Sequence, residues 1–139
     1  MKKTIVILVL MLAALAGCKE TTNPTETAAN DPDPAGVYRL VTVDGVNIPG
    51  MVNHDGHEVM LHSGTFIFNA DKTCISKTVF SPPSGETIPR EVKATYTQEG
   101  STLKMQWIGA GRTEGTVKGD TFTMDNHGMI FMYKKKSEL

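Results

Sequence analysis

Cysteine is scarce in this sequence: the 139 residues hold two, Cys18 and Cys74, too few for a disulfide framework. Aromatic residues make up 6%, with one tryptophan, Trp107. No charge of one sign dominates. The formal net charge of −1 becomes −3 once residues 1–17, with Lys2 and Lys3, are set aside. That excludes the electrostatic footprint of a nucleic-acid binder and a basic patch drawn to anionic membranes. The one basic cluster, Lys134-Lys135-Lys136, reads as a solvated carboxyl end. Helical periodicity is missing as well: no window after residue 35 sustains it. Catalytic patterns are lacking too. Gly109 to Gly115 is glycine-rich but has neither the lysine and serine of a phosphate loop nor a following helix. The serines sit in turns without a nucleophile-elbow pattern. The reading is therefore non-enzymatic and without a cofactor.

What is present begins with Lys2 and Lys3, followed by an uncharged apolar run from Ile5 to Leu15 and then small residues. A basic head, a short apolar core and a small-residue cut form a secretory signal. The core is too short to span a bilayer comfortably. Leu15-Ala16-Gly17-Cys18 resembles the lipobox of bacterial lipoproteins. The resemblance implies cleavage before Cys18, a diacylglycerol on its thiol and acylation, such as palmitate, of the new amino terminus. It also implies a membrane anchor in the cell envelope. Lys19 after the cysteine implies the outer membrane, facing the periplasm, in a Gram-negative cell. An acylated Cys18 leaves Cys74 alone, in the strand-like run Thr73 to Ser76, where a small buried hydrophobe is expected.

Residues 18–34 comprise the lipidated cysteine and a stretch rich in threonine, proline and acid, with no large apolar residue. Such a stretch cannot bury enough surface to fold and reads as a disordered tether. The domain is expected over 35–136, with a tail at 137–139. Strands are expected at Val37–Val43, Glu58–His62, Thr65–Asn69, Thr73–Phe80, Glu91–Thr97, Thr102–Ile108, Thr113–Val117, Thr121–Asp125 and Met129–Lys134, joined by turn signals such as Asp44-Gly45 and Gly119-Asp120. Period-two alternation groups Leu103, Met105 and Trp107 on one face, and likewise Phe66 with Phe68, Phe122 with Met124, and Met129, Phe131 and Tyr133. The fold class is all-β, a small antiparallel meander barrel of about eight or nine short strands, since closure removes exposed edges. A two-sheet sandwich is the competing arrangement.

Gly36-Val37-Tyr38, Val43-Asp44-Gly45, Asn69 to Thr73, and Gly119 to Met124 followed by Gly128 to Phe131 resemble the small lipocalin-like domains of bacterial lipoproteins. The resemblance covers most of residues 36–134. Lipocalins proper carry tryptophan where this chain has Tyr38. They also often carry a late arginine, where lysines stand here. The resemblance implies a small apolar ligand in the barrel interior, among Tyr38, Phe66, Phe68, Met105, Trp107, Phe122, Met124 and Phe131. Methionine-rich interiors suit irregular apolar ligands and filled cores alike. A filled core would leave a protein-interaction module acting through loops and rim, as a hydrolase inhibitor or an envelope-assembly factor. A third reading is a periplasmic metal binder. His54 and His57 flank Asp55-Gly56 with a two-residue gap, and His62 follows. Against it, Gly50 to Gly56 reads as a polar surface loop running into a strand at Glu58, and loops collect histidine, aspartate and glycine for turn geometry alone.

Overall fold

A computed structural model describes residues 31–137. The signal segment, Cys18 and most of the expected tether lie outside the described residues. Ten strands follow in order: β1 Gly36–Val43, β2 Val46–Asn47, β3 Gly50–His54, β4 His57–Phe68, β5 Thr73–Ser81, β6 Ile88–Glu99, β7 Thr102–Trp107, β8 Arg112–Lys118, β9 Thr121–Asn126 and β10 Met129–Lys135. From β4 to β10 each strand pairs antiparallel with the next, and β1 pairs with both β10 and β4. Eight strands thus close into a meander barrel, with β2 and β3 as extra strands, and the sandwich alternative is excluded.

Alternation builds the wall. In β7, Leu103 and Met105 are buried while Lys104 and Gln106 are exposed, and in β9 Phe122 and Met124 are buried. Threonines on the outer face favour the pleated conformation through their branched side chains. Two hairpins turn through Asp44-Gly45 and Asp55-Gly56, with positive φ at all four residues (47°, 80°, 50° and 80°). That is the backbone of the tightest hairpin turns, which aspartate and glycine adopt most readily.

Closure is incomplete along one seam. Gly36–Arg39 of β1 pairs with Thr65–Phe68 of β4. Beyond that both strands carry register shifts, at Leu40/Thr42 and Leu61/Ser63. There β1 turns to β2 and β4 to β3. Gly64 marks the divergence, since a Cβ there would lie 2.7 Å from the Leu40 side chain. The β2–β3 excursion straps the gap. This corrects two expectations: Gly50–His54 is a strand rather than a loop, and the pieces on either side of Ser63-Gly64 form one bulged strand. A bulge keeps the ladder running while shifting which side chains face inward.

The two ends of the barrel differ. At the base, around the β4–β5, β6–β7 and β8–β9 turns, the interior is filled. Phe66 lies 4.7 Å from Phe68, 4.9 Å from Phe122 and 5.6 Å from Tyr133, centroid to centroid. Tyr38 meets Phe68 edge-on at 5.7 Å. Such pairs each contribute about 0.5–1.5 kcal/mol beyond the area they bury. Chain segment 32–35 packs here too: Pro34 is buried, and Gln98 Nε2 donates to the Pro32 carbonyl at 2.7 Å. The last residues assigned to the tether therefore belong to the domain, because proline needs no further donor partner and covers apolar surface. The opposite end is open.

Candidate functional site: a half-open apolar cavity

Above the aromatic floor the barrel holds a cavity of about 400 Å³, within the lower part of the ~300–1,000 Å³ range of small-molecule sites. Its position follows from the strand rows. The inward residues of β4 and β9 pass from Phe68, Phe66 and Phe122 at the base to Leu61 and Met124 above them, while β5 and β6 offer the small Ser76 and Ala94 at mid-height. Its apolar wall includes Leu61, Val92, Trp107, Met124, Phe131 and Tyr133. The strap contributes Val52, which is buried.

Few polar groups reach the deep wall, and they are paired. Trp107 Nε1 donates to Thr113 Oγ1 at 2.8 Å, and Thr113 Oγ1 in turn points at Met124 Sδ, 3.6 Å away. Burial pushes the Tyr133 phenol well above its ordinary value, and a hydrogen bond with Ser76 partly opposes that rise. Burial likewise pushes the Cys74 thiol up to about 12. It stays protonated and makes a poor nucleophile. Around the mouth stand Arg90, His54, Asn126 and His127. His54 Nδ1 lies 3.3 Å from Met129 Sδ, and His54 Nε2 lies 3.5 Å from Asp55 Oδ2 on the exposed turn.

The cavity divides the eight interior residues expected to line a ligand space. Trp107, Met124 and Phe131 do line it. Tyr38, Phe66, Phe68, Met105 and Phe122 do not; they are at most 2% exposed and fill the barrel beneath it. Alternation identifies an inward residue but not its height along the barrel axis. Height depends on strand stagger, which the sequence does not display.

The three neighbouring histidines are not gathered. His54 and His57 oppose each other across the β3–β4 turn. His62 lies farther along β4 and hydrogen-bonds with Ser81 Oγ at 2.8 Å. Among the described residues no three His, Cys, Asp or Glu side chains are placed to hold one metal ion.

Sequence reasoning missed Val52, because the strap reads as a turn-rich loop, and Arg90, because Pro89 suggests that β6 starts later. Comparison with protein-family models, curated proteins and solved structures finds no match for the chain.

Proposed function

We propose that this is a lipid-anchored cell-envelope protein whose barrel carries one small apolar ligand and performs no chemistry on it. The observation that carries the reading is the cavity: apolar-walled, open at one end and closed below by a packed aromatic floor. A pocket that existed only through loose packing would lose contacts along its whole lining. This one is confined to one half of a barrel whose other half is filled.

The anchor rests on Leu15 to Cys18, by their resemblance to a lipobox, and the outer-membrane location on Lys19. The position of the chain entry supports the arrangement. The polypeptide reaches β1 at the base, beside Gln98 and the β6–β7 turn, so a tether would leave from the end opposite the mouth.

The test is native mass spectrometry of the purified full chain carrying Cys18→Ser, so that no anchor lipid is attached. A one-to-one adduct with an apolar molecule, lost when Val92→Phe narrows the cavity, is expected. A chain that takes up no apolar compound would overturn this reading. It would favour a protein-interaction module instead, for which one observation speaks: Ile108, in the β7–β8 turn at the rim, is 75% exposed.

A further inference from the structure

We infer that the ligand is an amphiphile with an anionic head, seated tail-inward with the head at the Arg90 guanidinium. The inference rests on the small-ligand reading and adds the charge and orientation of the ligand.

Arg90 occupies an inward position of β6, in the row that continues through Val92, buried Ala94 and buried Tyr96. Two permanently charged side chains border the cavity, Arg90 and Arg112, and of the two only Arg90, exposed at the mouth, stands at an inward position of its strand. Its cross-strand partner is Thr78, also on the cavity wall. Among the described residues no carboxylate lies within ion-pair distance of Arg90, and no hydrogen bond engages its side chain. An inward position in a barrel normally takes an apolar residue, and an outward one suits a charge that serves only solubility. An arginine turned into the mouth without a partner leaves five donors in a planar fork. That fork matches the two oxygens of a carboxylate or phosphate.

Arg112, at the same rim, provides the contrast. Its Nε donates to Gln106 Oε1 at 2.6 Å, and Gln106 lies on the outer face. Arg112 also borders the cavity, but it stands at an outward position beside buried Thr113 and its guanidinium is already engaged by Gln106.

Orientation follows from the deep polar groups. Thr113 is taken by Trp107, whose Nε1 donates to it at 2.8 Å. A polar head placed deep would find these groups already paired and lose its hydration. An alkyl chain or compact ring there meets Leu61, Val92, Met124 and Phe131 and gains about 0.8 kcal/mol per buried methylene. A volume of about 400 Å³ suits one chain or one small ring system rather than a two-chain lipid.

The experiment titrates the purified full chain, carrying Cys18→Ser, with decanoate, decyl sulfate, decan-1-ol and decyltrimethylammonium. Trp107, the single tryptophan, reports through its emission, and native mass spectrometry gives the stoichiometry. Decanoate is expected to bind one-to-one and on the order of tenfold tighter than decan-1-ol, as a charge-assisted hydrogen bond at a part-exposed site provides. The cation is expected to bind weakest. Arg90→Gln should bring decanoate to the affinity of the alcohol and leave the alcohol unchanged, whereas Arg112→Gln should alter neither. Arg90→Lys, which keeps the charge and loses the fork, should fall between. A preference for decyl sulfate over decanoate, also lost in Arg90→Gln, would support the inference with a phosphate-like head.

Equal affinities for acid and alcohol, unmoved by Arg90→Gln but both abolished by Val92→Phe, would overturn the anionic head and leave the apolar pocket standing. If none of the four compounds binds, the small-ligand reading falls and this inference with it.

Discussion

Phe66→Ala tests the division of the barrel into a packed base and an open half. Phe66 has no exposed surface, and its ring touches those of Phe68, Phe122, Tyr133 and Trp107, with Trp107 5.9 Å away. Removing it deletes a large apolar group and leaves a void that rigid barrel walls cannot collapse to fill. The expected loss is about 3–5 kcal/mol. For a domain of this size that lowers Tm by roughly 12–25 °C and consumes a large share of a typical total of about 5–15 kcal/mol. Lys104→Ala, on the outer face of β7, should change stability by less than about 0.5 kcal/mol. The assay is urea unfolding followed by far-UV circular dichroism, which does not depend on the Trp107 environment that the substitution itself alters. Phe66 also forms the floor between two wall residues of the cavity. The milder Phe66→Leu should therefore deepen the pocket and shift the preferred alkyl chain to a longer one. A Phe66→Ala cost below about 1.5 kcal/mol would refute the packed floor, because only an already loose base could absorb the loss.

Tyr38→Phe should stabilise the domain by up to about 1 kcal/mol in the same assay: the Tyr38 hydroxyl is buried with no hydrogen-bond partner, and such a group costs about 1–3 kcal/mol. A loss of stability would reveal a partner for that hydroxyl. Trp107→Ala should cost about 2–3 kcal/mol, less than Phe66→Ala, because the indole is only half-buried at the cavity wall. A larger cost than Phe66→Ala would move the floor to Trp107. Stability should fall as pH rises above about 9. The unfolded Cys74 thiol ionises near 9.0, whereas the folded one holds its proton to about 12, so that group contributes fully below pH 9 and loses about 1.4 kcal/mol per pH unit above it. Buried Tyr133 adds to the loss in the same direction. Urea midpoints of Cys74→Ala that decline as steeply as those of the native chain would refute the thiol's share. Cys18→Ser should move the protein from the membrane to the soluble fraction, since stable anchoring takes two or more lipid signals. Continued sedimentation with membranes would refute the anchor.

Most of the barrel could be read from the chain because its strands are half-buried and antiparallel, so that each carries its own period-two signal. Leu103, Met105 and Trp107 face inward as their alternation requires, and Phe122 with Met124 likewise. Bulged segments were harder. Ser63-Gly64 resembles a turn because the same small residues that open a hairpin also admit a bulge and the close approach of Leu40. The strap escaped because two- and five-residue strands between turn residues have no room to show a period. The candidate site was half legible for a geometric reason: strand stagger, not alternation, decides which inward residues fill the base and which line the cavity. Arg90 was hidden by Pro89, which reads as a break although it falls near the start of β6, where a missing donor is tolerated.

The seam has a further consequence, for the order in which the barrel assembles. From β4 to β10 every pairing joins neighbours in the chain, so that part grows hairpin by hairpin with little loop entropy to overcome. β1 is different: apart from its short hairpin with β2, its partners are β4, across the strap, and β10, at the far end, where Tyr38 meets Lys135. A polypeptide emerges amino terminus first, so the strand made earliest is among the last to find both neighbours. Until β10 exists, the half-built sheet presents raw edges to any other chain. The closing step then seats Tyr38 and Leu40 against a prepared aromatic base. Substitutions in β1 should accordingly act mainly on the unfolding rate, and those in the β6–β9 hairpins on the folding rate.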